Sequence, residues 1–194
     1  MSTRQVIAIT GGIGSGKSVV CRVVSAMGYP VYDCDSRAKQ LMDNSPEIKA
    51  EIASAISPDA ITPEGEIDRQ ALSHIVFSDP DKLKTLNGIT HRHILADITR
   101  WCDRQTSDKV FIETAILYQS GLDRMVDSVW EVTAPTDTRV ERVARRNGLT
   151  HDHIRSRIEA QNFEPEAVHP RVTTITNDDI IPLLPQIERN LAGC

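Results

Sequence analysis

The chain has no excess of basic charge. Its 22 Lys and Arg stand against 27 Asp and Glu, for a net charge of −5 and a pI near 5.7. A nucleic-acid partner calls for a clustered positive surface, so none is expected, and any phosphate binding must come from local groups. Cysteine is sparse: Cys21, Cys34, Cys102 and Cys194 lie far apart and form no C-x-x-C pair. That spacing argues against a zinc site or a redox dithiol and fits free thiols in a reducing compartment. No apolar run approaches the roughly 18 residues that a membrane-spanning helix needs. The N-terminus runs into strand-like sequence without the apolar core of a signal peptide. Repeats and low-complexity tracts are missing as well. These absences predict a cytoplasmic protein with no membrane or nucleic-acid partner, and a monomer or weak homo-oligomer is expected. With 40% apolar and 25% charged residues, the composition is that of an ordinary globule. The 194 residues suffice for one domain carrying an insertion.

What is present is concentrated near the start. Gly11-Gly12-Ile13-Gly14-Ser15-Gly16-Lys17-Ser18 fits G-x-x-x-x-G-K-[ST], with the apolar run Val6 to Thr10 before it and the helix-like Val19 to Val24 after it. Strand, glycine-rich loop and helix are the setting of a phosphate-binding P-loop. Glycines let backbone N–H groups turn toward a phosphate, and the helix N-terminus adds partial positive charge. The amides from Gly12 to Ser18, namely those of Gly12, Ile13, Gly14, Ser15, Gly16, Lys17 and Ser18, are expected to cradle ATP. Lys17 is expected to reach the β- and γ-phosphates and the Ser18 hydroxyl to ligate Mg²⁺.

The rest of the chain alternates between strand and helix patterns. A first strand–helix unit covers residues 5–27, and a short second strand, Tyr29 to Tyr32, delivers Asp33-Cys34-Asp35. Residues 36–105 carry almost no strand signal and read as a helical insertion. Within it Ser36, Asp68 and Asp79-Pro80 mark helix starts, and Pro46 opens a helix with Ile48, Ile52 and Ile56 on one face. A longer helix is expected from Ile89 to Cys102. Strand patterns return at Val110 to Ile112, ending in Glu113, at Ser128 to Thr133, and at Val172 to Thr176. Thr136 and Thr150 are expected to cap helices, and a final helix to end near Leu191. The fold class expected is α/β: a P-loop NTPase fold with a five-stranded parallel sheet flanked by helices, the helical insertion, and a small helical lid at residues 137–162.

Chemistry clusters at the strand ends. A carboxylate beside an acceptor hydroxyl takes its proton during phosphoryl transfer, and Asp33 is the candidate; Asp35 fits a helix start better. Glu113 closes an apolar strand as a metal-holding acid does. Arg139, Arg142, Arg145, Arg146, Arg155 and Arg157 crowd two short helices joined at Asn147-Gly148-Leu149. Guanidinium groups pair with phosphate bidentately, and a helical hairpin rich in arginine suits a closing lid. His91 and His93, two apart on a helix, face differently and are not expected to share a metal.

Taken together these residues resemble the dephospho-CoA kinase family over nearly the whole chain. The resemblance rests on Ile9 to Ser18, on Asp33-Cys34-Asp35, on Ile67-Asp68-Arg69-Gln70-Ala71-Leu72 with Val76-Phe77, on His91, on Arg142, Arg146, Arg157 and Gln161 in the lid pattern, and on Asn177. It implies ATP-dependent phosphorylation of the ribose 3′-hydroxyl of dephospho-CoA, with Lys17, Asp33, Arg142 and Arg146 catalytic. It also implies Asp33, Asp68, Arg69 and His91 at the acceptor, Asn177 near adenine, and Ser18 with Glu113 at Mg²⁺. Some positions differ from the usual pattern: Glu113 stands for Asp, Gln119 for a later Glu, Arg92 for Pro, and Arg139 for a lid Gln. A P-loop kinase for another nucleotide or metabolite is the alternative. A GTP-dependent switch is disfavoured, because no N-K-x-D and no D-x-x-G after a strand is present.

Overall fold

The structure, a computed structural model, describes residues 4–161 and 167–193. Residue 162 of the expected lid and Cys194 lie outside them. In chain order the elements are β1 (Gln5–Thr10), α1 (Lys17–Ala26), β2 (Val31–Asp33), α2 (Cys34–Asn44), α3 (Pro46–Ala55), α4 (Arg69–Phe77), α5 (Pro80–Asp103), β3 (Lys109–Glu113), β4 (Ser128–Thr133), α6 (Thr136–Asn147), α7 (His151–Ala160), β5 (Val172–Thr176) and α8 (Leu183–Gly193). The chain divides into two compact units, one of Met1–Asp33 with Gln105–Cys194 and one of Cys34–Arg104. No helix among the described residues is long and apolar enough to cross a membrane.

The first unit holds the expected parallel sheet, in the order β2-β3-β1-β4-β5. From β1 the chain crosses to β2 on one side and later to β4 on the other, so the direction of winding reverses at β1. In such sheets ligands bind beyond the carboxyl ends of the strands, at this reversal. Ile7, Ile9, Phe111, Trp130, Val132 and Ile175 from the strands bury against Val20, Val24 and Ile187 of α1 and α8. Phe111 meets Trp130 edge-on at 5.0 Å and Tyr29 at 5.7 Å. Burying an aliphatic side chain of this kind contributes about 1.5–3 kcal/mol, which anchors β1 and α1 rigidly at the two ends of the glycine loop. A smaller core joins α6 and α7 through Val140, Val143, Ile154 and Ile158, with Ile13 of the loop packed against it.

The second unit is all helical, with Ile48, Ile52, Ile56, Leu72, Val76 and Ile89 in its core. Its buried Asp97 accepts from Arg37 Nε at 3.0 Å and from an Arg37 terminal nitrogen at 2.8 Å, and a buried carboxylate requires such a partner. Here the expected boundaries shift. The two helices anticipated from Asp79 and from Ile89 are one, α5, of 24 residues. Gly88 falls inside it, at a cost of only about 1 kcal/mol relative to Ala. The second helix starts at Cys34, ahead of Ser36. Pro135 rather than Thr136 takes the cap position of α6.

Candidate active site

The glycine loop joins β1 to α1. Gly16 sits at the cap of α1 with φ 95°, a left-handed backbone that glycine adopts without steric cost, so that Lys17 becomes the first helical residue. The Lys17 ammonium folds across the loop and donates to Gly11 O at 2.8 Å. Ser18 follows on the first turn, exposed. The Lys17 ammonium and the N-terminus of α1 therefore meet where β1 ends, and their positive charge favours an anion there.

Two carboxylates flank it on adjacent strands. Ile9, Glu113 and Asp33 stand in register across β1, β3 and β2. Asp33 and Glu113, both half-buried, thus share one edge of the sheet. Cys21, one turn beyond Lys17 and buried, hydrogen-bonds the Glu113 side chain. Burial first, then the charge of Glu113, that hydrogen bond, and the charge of Asp33 push its thiol far above the ordinary value. Such a thiol keeps its proton and directs it to the carboxylate rather than acting as a nucleophile. A Ser18 hydroxyl and a Glu113 carboxylate are hard oxygen donors suited to Mg²⁺. Among the described residues no group of three or more His, Cys, Asp or Glu forms a metal cage. Mg²⁺ is usually held by one or two protein oxygens together with substrate phosphates and water.

The outer face of the loop is held by residues far along the chain. Arg139 Nε donates to Ile13 O at 2.8 Å, and Ile13 N–H donates to Gln161 Oε1 at 2.8 Å. Asn177, buried, donates from Nδ2 to Ser15 O at 2.8 Å. Arg142 reaches Gly14 O and Ser15 O at 3.4 Å and pairs with Asp179 at 2.6 Å. The turn after β5 is set by Asp178 Oδ1, which accepts from Ile180 and Ile181 N–H. Those two bonds, Ile181 first, hold its carboxyl below the usual carboxylate range. Asp179 takes φ 65°, a conformation uncommon outside glycine, and so turns its carboxylate to Arg142. Burial lowers the proton affinity of the Arg139 guanidinium. Two cavities adjoin this region: one of about 410 Å³ includes Thr10, Gly12, Tyr118, Gln119 and Glu131, and one of about 300 Å³ includes Ser15, Glu131, Arg139 and Gln161.

The residues singled out in the sequence fall in both units. Gly12 to Ser18, Arg142 and Asn177 are brought together, and Asp33 and Glu113 stand side by side in the same unit. Arg146 is exposed near the end of α6, where its Nε donates to Asn147 Oδ1 at 3.1 Å. Asp68, Arg69 and His91 belong to the helical unit. There Asp68 caps α4, accepting from Gln70 and Ala71 N–H, and Arg69 pairs with Asp43 at 2.5 Å. His91 lies within α5, half-buried, and desolvation lowers its pKa. Cys21 and Asp179 escaped the sequence reading. Nothing local marks a cysteine as a carboxylate's donor. The run Asn177-Asp178-Asp179 signals a turn but not which arginine closes it.

Known proteins resemble the chain over most of its length. A relative from Porphyromonas gingivalis named dephospho-CoA kinase is 39% identical over 184 residues, 94% of this chain and 91% of its own length. One of that name from Bacteroides fragilis is 34% identical over 182 residues, 93% and 88%. A crystal structure of a Thermus thermophilus protein superposes with a TM-score of 0.77 at 33% identity, covering 98% of this chain and 96% of that one. A dephospho-CoA kinase structure from Campylobacter jejuni, at 21% identity and TM-score 0.60 over 98% and 95%, shares the fold. The family model described as dephospho-CoA kinase matches residues 5–182. The chain belongs to the dephospho-CoA kinase family.

Proposed function

We infer that the chain transfers the γ-phosphoryl group of ATP to the ribose 3′-hydroxyl of dephospho-CoA, giving coenzyme A and ADP. The observation that carries this reading is the register of Asp33 and Glu113 beside the loop headed by Lys17, in a chain of this family. On it, Lys17 and the loop amides bind the β- and γ-phosphates, except that of Ile13, whose N–H is given to Gln161 instead of to ATP. Asp33 accepts the proton of the 3′-hydroxyl as its oxygen bonds to the γ-phosphorus and the bond to the ADP oxygen breaks. Ser18 and Glu113 would hold Mg²⁺, which neutralises charge on the phosphate oxygens. Arg142 and Arg146 supply further positive charge, and for Arg142 this means exchanging Asp179 for phosphate. Asn177 lies toward the adenine. We assign acceptor contacts to residues 36–105, with Asp68, Arg69 and His91 foremost, and closure to residues 137–162. A cytoplasmic monomer or weak homo-oligomer fits the same reading.

The test is ATP consumption with dephospho-CoA beside adenosine, AMP and pantetheine. Turnover with dephospho-CoA at least a hundredfold above the others is expected. Preference for AMP or adenosine would make the chain a kinase of another acceptor.

A further inference from the structure

One residue of the nucleotide loop is gripped at both its peptide groups. Ile13 gives its N–H to Gln161 and takes the Arg139 Nε–H on its carbonyl, each at 2.8 Å. Its side chain packs into the α6–α7 core of Val140, Val143, Ile154 and Ile158. Gln161 caps the end of α7 and Arg139 lies in the first turn of α6, so two helices hold the two peptide groups of one residue. The fit is close: a Cβ on Gly12 would stand 2.3 Å from an Arg139 terminal nitrogen, and one on Gly14 would stand 2.6 Å from the Arg139 carbonyl. These two glycines therefore admit α6 to the outer face of the loop, quite apart from what they do for phosphate.

We infer that Arg139 and Gln161 are positioning residues for phosphoryl transfer: by fixing both peptide planes at Ile13 they aim the loop amides that follow it. This rests on the kinase reading above. Each peptide group is planar, so a rotation about the Cα of Ile13 swings every amide after it. The glycines on either side resist such a rotation weakly. Bonds at Gly11, Gly14 and Ser15 hold the rest of the loop, so the grip at Ile13 removes the freedom left at that residue, and donors already aimed at the developing charge need no reorganisation during transfer. A loop without the grip would still attract ATP through Lys17 and the helix N-terminus, but its amides would converge on the phosphates only part of the time.

Hydrogen exchange at the Ile13 amide, followed by NMR, reads the grip directly. In Gln161→Leu the amide should exchange at least tenfold faster. Gln161→Glu keeps an acceptor and should restore protection. Gln161→Leu and Arg139→Met should each lower kcat about tenfold with KM for dephospho-CoA within twofold. The double variant should fall little further, because both residues hold one point. Urea midpoints measured on each variant separate this from loss of fold. Unchanged Ile13 exchange in Gln161→Leu, or faster exchange with unchanged kcat, would overturn the inference. Wild-type protein that phosphorylates no acceptor would instead sink the kinase reading, and the exchange comparison would still decide the grip.

Discussion

Gly16 and Gly28 offer a matched pair. Their φ angles are +95° and +93°, but a Cβ on Gly16 would lie 2.0 Å from Asn177 Nδ2, whereas one on Gly28 would meet nothing within 4 Å. Alanine at either place carries the same backbone strain, about 1–2 kcal/mol. At Gly16 it must also push Asn177 off Ser15 O, a buried 2.8 Å bond, and leaving the buried Asn177 amide donor unpaired costs about 1–3 kcal/mol. Gly28→Ala should therefore lower unfolding free energy by roughly 1–2 kcal/mol, and Gly16→Ala by roughly 2–5 kcal/mol. ATP affinity should be unchanged in the first and fall at least about tenfold in the second, or 1.4 kcal/mol. Urea denaturation and calorimetric titration of ATP give both numbers. The cause is checked by repeating Gly16→Ala in an Asn177→Ala background, where the colliding atom is gone and only the backbone strain should remain. Equal losses for Gly16→Ala and Gly28→Ala, in stability and in ATP binding, would refute the packing of Asn177 on the loop.

Asp33→Asn should lower kcat by about 10²–10⁴ with ATP affinity little changed; a rise confined to KM for dephospho-CoA would make Asp33 a binding residue instead of a base. The Ser128 hydroxyl is buried with no hydrogen-bond partner among the described residues, so Ser128→Ala should stabilise by about 1 kcal/mol, seen as a higher urea midpoint at constant slope. His91 has its pKa lowered from 6.5 by desolvation, so the unfolded chain takes up its proton first as pH falls below about 6.5. Wild-type protein should therefore lose stability between pH 7 and pH 5 more steeply than His91→Gln, and parallel slopes would remove His91 as the source.

Legibility followed the range of each interaction. β4 and β5 carry their strand signal within a few residues, and Pro135 stops the first of them, so their bounds match the structure. The helix over residues 80–103 read as two because Gly88 and the polar stretch beside it interrupt the apolar pattern, while tertiary burial of Ile89, Ile94 and Ile98 overrides that local weakness. At the site, the glycine loop was legible because its chemistry is local in sequence. Asp33 and Glu113 were legible as strand ends but not as neighbours, since their pairing needs β3 to insert between β2 and β1. The contacts of Arg139, Gln161 and Asn177 with the loop span 126, 148 and 162 positions. No periodicity or spacing encodes a bond over such a distance; only the closed sheet does.

The division of the chain into a sheet unit interrupted by a helical one has a consequence for synthesis. Strand β1 has no partner until β3 emerges, and Gln5 pairs with Lys109, about a hundred residues later. At roughly 5–20 residues per second on a ribosome, the first strand and its helix wait on the order of 5–20 s with their apolar faces uncovered. Residues 34–104 are continuous, and their core is drawn from α3, α4, α5 and the turns between them. They can therefore consolidate while the sheet waits. The nascent chain is thus most exposed to aggregation or chaperone capture through Val6 to Thr10 and Val19 to Val24, the same apolar runs that later fix the nucleotide loop in place.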